Sequence, residues 1–243
     1  MPRTASYRAL ILRNRLCGEH SDVWLLSAEE GIIRATVFGG PKSRLRAYVS
    51  PFHSGQIWIY HNPINDSRKI TDFDVQSWRP GLRELYERAI TADAAAQAIL
   101  ATHGGGGNWA QAMKLAEEVL DVLECSNEEL CARILVFFFW KWTAFLGIRP
   151  QLDRCSACGK TAEGQLWYSA REGEMFCGNC ADGHDTGLLP LSPGCLRWLA
   201  AVEQLPPSKL GSFTMDNKSM AQTKEFTLSI MAGALGKRPA NWD

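Results

Sequence analysis

Cys155, Cys158, Cys177 and Cys180 follow the pattern C-x2-C-x18-C-x2-C, a spacing suited to a tetrahedral metal site. Each C-x2-C pair lets two thiolates leave one tight turn toward a single ion. Gly159 and Gly178 each follow a ligand, where the chain has to bend. The stretch Gln165–Gly173 between the pairs reads as a short strand and a turn that return the second pair to the first. Four thiolates suit Zn²⁺ at about 2.3 Å and leave no coordination position open, so the expected role is structural. His184, four residues after Cys180, ranks behind the fourth cysteine as a ligand. The rival readings are two local disulfides or a redox C-x-x-C. The start Met1-Pro-Arg-Thr-Ala-Ser-Tyr7 has no apolar signal segment, so an oxidising compartment has no support. A redox motif belongs at a helix start after a strand, whereas both pairs here read as Gly-rich turns.

No other residues form a catalytic constellation. The histidines His20, His53, His61, His103 and His184 make no H-x-x-x-H pair, and there is no G-x-S-x-G. Gly104–Gly107 continues into Asn108-Trp109 instead of the G-K-[ST] of a phosphate loop, so it reads as a flexible connection. Cys17, Cys125, Cys131 and Cys195 lack ligand spacing and read as packing residues. The expectation is a protein that is not an enzyme.

The elements that must position the cysteines divide into two kinds. Residues 6–80 read as β: Tyr7–Leu12, Asp22–Ser27, Gly31–Phe38, Gln56–His61 and Lys69–Gln76, with a hairpin at Ala28–Gly31. Five short strands in about 75 residues fit a small closed barrel of the OB type, with an SH3-like barrel as the rival. From Gly81 the apolar period becomes helical, at Leu82, Leu85, Tyr86, Ala89 and Ile90. Further helices are expected over 108–124 and 127–147, capped by Asn108 and Asn127, then from Ser192 with Pro193 at its first position, and over 216–235. The expected fold is therefore α+β: a five-stranded OB-type barrel over 1–80 and a helical domain over 81–243, with a four-cysteine zinc insertion at about 151–184. The apolar run Ile134–Gly147 holds Lys141 and is too short for a spanning helix of about 20 residues, so it reads as a buried helix. No membrane association is expected, and the expected location is the cytoplasm.

Formal net charge is zero, but residues 1–80 carry eleven Lys/Arg against seven Asp/Glu. Arg13 and Arg15 at the end of the first strand, Arg34 on the third, and Lys42, Arg44 and Arg46 at alternating positions of the next loop are candidate phosphate contacts. Tyr48, Trp58 and Tyr60 are candidate base stackers. The competing reading is a solvated charged face with the aromatics inside the barrel.

The order of parts, with the segments Gly39–Phe52, Phe145–Pro150 leading into Asp153–Gly159, and Phe176–Cys180, resembles the RecO family of recombination mediators. The resemblance covers essentially the whole chain. It implies single- and double-stranded DNA binding, strand annealing, and work with RecR and the single-strand binding protein to load RecA, in the nucleoid. The basic loop residues of the family carry over onto Lys42, Arg44 and Arg46. The family's dock for the acidic, hydrophobic-ended tail of single-strand binding protein lies on the helical domain, where Arg133 and Lys141 are candidates. Zero net charge departs from what annealing two phosphate backbones demands. It leaves room for an alternative, a zinc-stabilised adaptor with little DNA affinity of its own.

Overall fold

The computed structural model describes residues 3–39, 43–161, 164–183, 187–236 and 238. Lys42 and His184 lie outside the described residues. The chain forms two compact units, 1–126 and 127–243. The strand-to-helix change falls near residue 80 as read from the pattern, yet the first two long helices belong to the same unit as the strands.

In the first unit, β1 (Thr4–Cys17), β2 (His20–Ser27), β3 (Gly31–Phe38), β4 (Ser54–Asn62) and β5 (Ser67–Ser77) close a barrel in the order β1-β2-β3-β5-β4. All neighbours are antiparallel except β3 and β5, which meet in parallel at Thr36 and Lys69. This is the five-stranded OB arrangement. Alternation explains the interior: Ala9, Ile11, Val23, Leu25, Ile33, Ala35, Val37, Ile57, Ile59, Ile70 and Phe73 all point inward and are buried.

Between β3 and β4 lies a one-turn helix, α1 (Arg44–Tyr48), whose first N–H groups are capped by the Ser43 hydroxyl accepting from Arg46 N. After β5, a 3-10 turn at Pro80–Arg83 leads into α2 (Tyr86–Ala101) and α3 (Trp109–Leu123). Leu10 and Leu12, on the outside of β1, lie among Ala92, Ala95, Ala96 and Ile99 of α2 and Ala116 and Leu120 of α3. The four glycines between these helices all have positive φ, so the connection is a defined turn that side chains would strain.

The second unit is organised on α4 (Glu128–Phe145), capped by Asn127 Oδ1 accepting from Leu130 N at 2.9 Å. Phe137, Phe138, Phe139, Trp140 and Trp142 of this helix are fully buried, which accounts for the membrane-like run. No helix among the described residues is long and apolar enough to cross a membrane. A small sheet of β6 (Leu166–Ser169), β7 (Glu174–Cys177) and β8 (Leu189–Leu191), in the order β7-β6-β8, carries the second cysteine pair together with a short helix, α5 (Gly178–Ala181). Then follow α6 (Pro193–Val202), with Ser192 as its cap, and α7 (Asn217–Leu235), with Asp216 as its cap. Phe226 of α7 packs edge-on against Tyr168 of β6, with ring centroids 4.9 Å apart.

Candidate functional site

The four cysteines converge. β6 and β7 form an antiparallel hairpin that pairs Leu166 with Cys177, while Gly159, at φ +70°, turns the chain back after Cys158. All four sulfurs lie within 4.8 Å of one another, and Cys158 Sγ is 3.9 Å from Cys177 Sγ. A tetrahedron with ligands at about 2.3 Å has edges of about 3.8 Å, so the donor set fits a four-thiolate ion. Gly178 differs from expectation. It opens α5 and does not form a bend, so Cys177 occupies a helix N-cap after a strand. That placement alone suits a redox thiol, but the other pair's sulfurs close the cluster. Cys155 is fully buried. Burial pushes its thiol up, but hydrogen bonds from the backbone at Cys177, Cys158 and Ala157 hold it down to about 6. Cys180 is pushed up to about 12 by hydrogen bonding with the other three sulfurs. Four such crowded sulfurs cannot all be thiolates without a cation between them.

On the barrel, the predicted cations separate into groups. The register of β1 against β2 shifts between Ile11 and Arg13, leaving Leu12 as an extra residue, a β-bulge. Ala9 and Ile11 point into the barrel, and strict alternation would send Arg13 and Arg15 in after them. The bulge reverses the phase and turns both outward, where they are exposed. Arg13 then stands opposite Trp24, and Trp24 opposite Arg34, a row across three strands. The Arg34 guanidinium sits 5.3 Å from the Trp24 ring centroid and donates to Asp22 at 2.8 Å. Further along the same face, Lys69 Nζ lies 5.1 Å from the ring centroid of exposed Phe38, with His20 beside it.

The loop cations behave differently from the expected alternating line. Because Ser43 caps a helical turn, Arg44 and Arg46 are two residues apart on a helix and face different ways. Arg44 reaches forward over Tyr48, its Nη2 donating to the Tyr48 hydroxyl at 2.8 Å, while Arg46 folds back to donate to the Gly39 carbonyl at 3.1 Å. Among the described residues, Arg13, Arg15, Arg44 and Arg46 make no ion pair.

Of the expected stackers, Trp58 is paired across strands with Asp72, and Tyr60 with Lys69. An anionic neighbour makes Trp58 a poor strand contact. Sequence reasoning passed over Trp24, Phe38 and Trp78. Trp24 had a readable signal, an aromatic between inward Val23 and Leu25 on an alternating strand. In the second unit, Arg133 is buried and donates to the Phe213 carbonyl at 2.7 Å, and Lys141 donates to the Glu203 carbonyl. Both serve the unit's own packing.

Comparison with known proteins bears on this geometry. Residues 1–77 match the family model described as Recombination protein O N terminal, and residues 112–243 the one described as Recombination protein O C terminal. The chain belongs to the RecO family. It is 30% identical over 213 residues to the DNA repair protein RecO of Pelotomaculum thermopropionicum, covering 86% of this chain and 81% of that one. It is also 30% identical over 220 residues to the DNA repair protein RecO of Bacillus pumilus, covering 89% and 83% respectively. RecO of Maridesulfovibrio salexigens is 26% identical over 198 residues, 78% of each chain. Membership of the RecO family assigns the chain to DNA repair, and the two matched regions contain the barrel and the cysteine cluster respectively.

Proposed function

We propose that this chain is a recombination mediator whose barrel holds DNA on the outer face of β1, β2 and β3. The observation that carries the reading is the bulge at Leu12, which turns Arg13 and Arg15 onto the outward face of Trp24 and Arg34, with Arg13 opposite Trp24 and Arg15 opposite Asp22. Cations track phosphates without reading sequence, and the aromatic between them offers a face to a base. Lys42, Arg44 and Arg46 add positive charge from the loop after β3. Single strands held here anneal with complementary strands. In this reading the protein acts with RecR and single-strand binding protein to help load RecA, without turnover chemistry, in the nucleoid. The single-strand binding protein's acidic tail docks on the helical unit, at residues other than Arg133 and Lys141. The ion is Zn²⁺, one per chain, held by Cys155, Cys158, Cys177 and Cys180 in a purely structural role.

The test is fluorescence anisotropy of labelled single-stranded DNA across a salt series. Arg13→Glu/Arg15→Glu/Arg34→Glu is expected to weaken binding at low salt and to lower the slope of log K against log salt by about 2, near 0.7 per lost phosphate contact. Lys42→Glu/Arg44→Glu/Arg46→Glu is expected to act less strongly, because Arg46 is spent on Gly39. Zero net charge favours a second reading, an adaptor that reaches DNA through partners. Wild-type protein without measurable affinity at low salt would select the adaptor.

A further inference from the structure

Trp78 lies just past β5, outside the β1–β3 face, and is 45% exposed although it is held on two sides. Its ring meets Tyr48 at 5.2 Å between centroids with an interplanar angle of 87°, and His53 at 4.9 Å and 64°. Neither neighbour stacks parallel to it, and nearly half of its surface stays open.

The backbone beneath the ring is strained at two points. Arg79 and Phe52 both adopt left-handed conformations, at φ 48° and 72°, uncommon for residues with side chains. The two are tied together. Arg79, 4% exposed, donates through Nη1 to the Phe52 carbonyl at 2.8 Å and to the Ser54 hydroxyl at 3.1 Å, and through Nε to Asp121 at 2.6 Å. Strain of this sort persists only where the surroundings over-determine it, and it gathers at binding sites. Here it fixes the residues next to Trp78 and His53, so the aromatic mount is preorganised.

The charge around the mount is positive. The Arg44 guanidinium is 5.7 Å from the Tyr48 ring centroid, and exposed Arg83 reaches the Pro51 carbonyl. The nearby carboxylates are engaged elsewhere: Glu84 by Arg88 and Asp121 by Arg79. A rigid, half-open indole flanked by two cations without acidic partners suits a planar group attached to a phosphate. We infer that Trp78 is a stacking platform for an unpaired base of single-stranded DNA, with Arg44 and Arg83 on its flanking phosphates. This rests on the reading of the barrel as DNA-binding and adds a selection for unpaired bases, since a duplex keeps its bases stacked inside.

The experiment compares wild type, Trp78→Ala and Trp78→Phe for binding to labelled oligothymidine and to a duplex of equal length across a salt series. Trp78→Ala is expected to weaken single-strand binding roughly 5- to 150-fold with an unchanged salt slope, and to leave duplex binding as it was. Trp78→Phe, which keeps a ring, is expected to recover most of the loss. Single-strand affinity of Trp78→Ala within twofold of wild type, or equal losses for single strand and duplex, would overturn the assignment. Wild type that binds neither DNA at low salt would instead bring down the DNA-binding reading beneath it.

Discussion

The barrel keeps its strands together with twelve buried apolar residues, from Ala9 to Phe73, whereas the cysteine segment buries only Cys155, Phe176 and Ala181 in its own cluster. Both contain short antiparallel strands. In the barrel each strand has neighbours on both edges, so burial and pairing suffice. The β6–β7 hairpin spans four residues a side, and too little apolar surface gathers around the four sulfurs to hold that end of the segment closed. In the proposed reading, an ion held by the four thiolates supplies what the core does not. One region of the chain is thus stabilised by composition spread over some 70 residues, the other by four side chains.

The largest effect expected from this contrast comes from removing the ion. A structural zinc site contributes on the order of 10–16 kcal/mol, so chelation or Cys155→Ser should open the stretch from Asp153 to Gly183 to proteolysis and fast amide exchange. The barrel amides should keep their protection. Metal content unchanged by Cys155→Ser would remove these cysteines from the ligand set.

Striking the barrel instead, Leu12→Ala empties the buried residue of the bulge, which lies among Ala92, Ala95, Ala96 and Ile99 of α2 and Ala116 and Leu120 of α3. Truncating a buried leucine costs about 2–5 kcal/mol, so the variant should destabilise the first unit while its metal content stays that of wild type. A Leu12→Ala variant with native stability would mean that the bulge residue does not anchor β1 on α2 and α3.

The smallest effect separates the regions by pH. Burial, then the Arg83 and Arg79 charges, lower the His53 pKa from 6.5, while its Nδ1–H donates to the Tyr48 carbonyl. The unfolded chain takes up a proton below pH 6.5 that the folded barrel refuses. Barrel stability therefore falls as pH drops from 6.5 toward the folded value, no more steeply than about 1.4 kcal/mol per pH unit. Denaturation at pH 7.0 and 5.5 checks this, and His53→Gln should flatten the difference.

Much of the architecture was readable because its signals are local. The cysteine spacing, the alternation of β2 and β3, and the caps Asn127 and Ser192 each need only a few residues of context, whereas Asn108, expected as a cap on the same signal, makes no side-chain cap bond. The first strand, read as Tyr7–Leu12 with arginines at its end, runs on to Cys17. The break in alternation at Leu12 was visible, since arginines follow at the positions that Ala9 and Ile11 lead one to expect inside. The helical turn at Arg44–Tyr48 was hidden, because Ser43 was the only capping signal and no Glu or Gln stands three residues later. The Trp78 mount was hidden for another reason. It depends on Arg79 reaching Phe52 and Asp121, contacts 27 and 42 residues away that no spacing rule encodes.

The closure of the barrel also has a consequence on the ribosome. β1 gives one edge to β2, which follows at once, and the other to β4, while the closing bridge from Thr36 needs Lys69 of β5. About 40 residues separate the end of β3 from the end of β5, roughly 2–8 s of synthesis at about 5–20 residues per second. Through that interval the nascent sheet, three strands and then four once β4 joins β1, shows an unpaired edge at each side, and a neighbouring nascent chain can add to it. Translation that pauses before residue 77 should therefore lower the yield of soluble protein more than an equal pause after it.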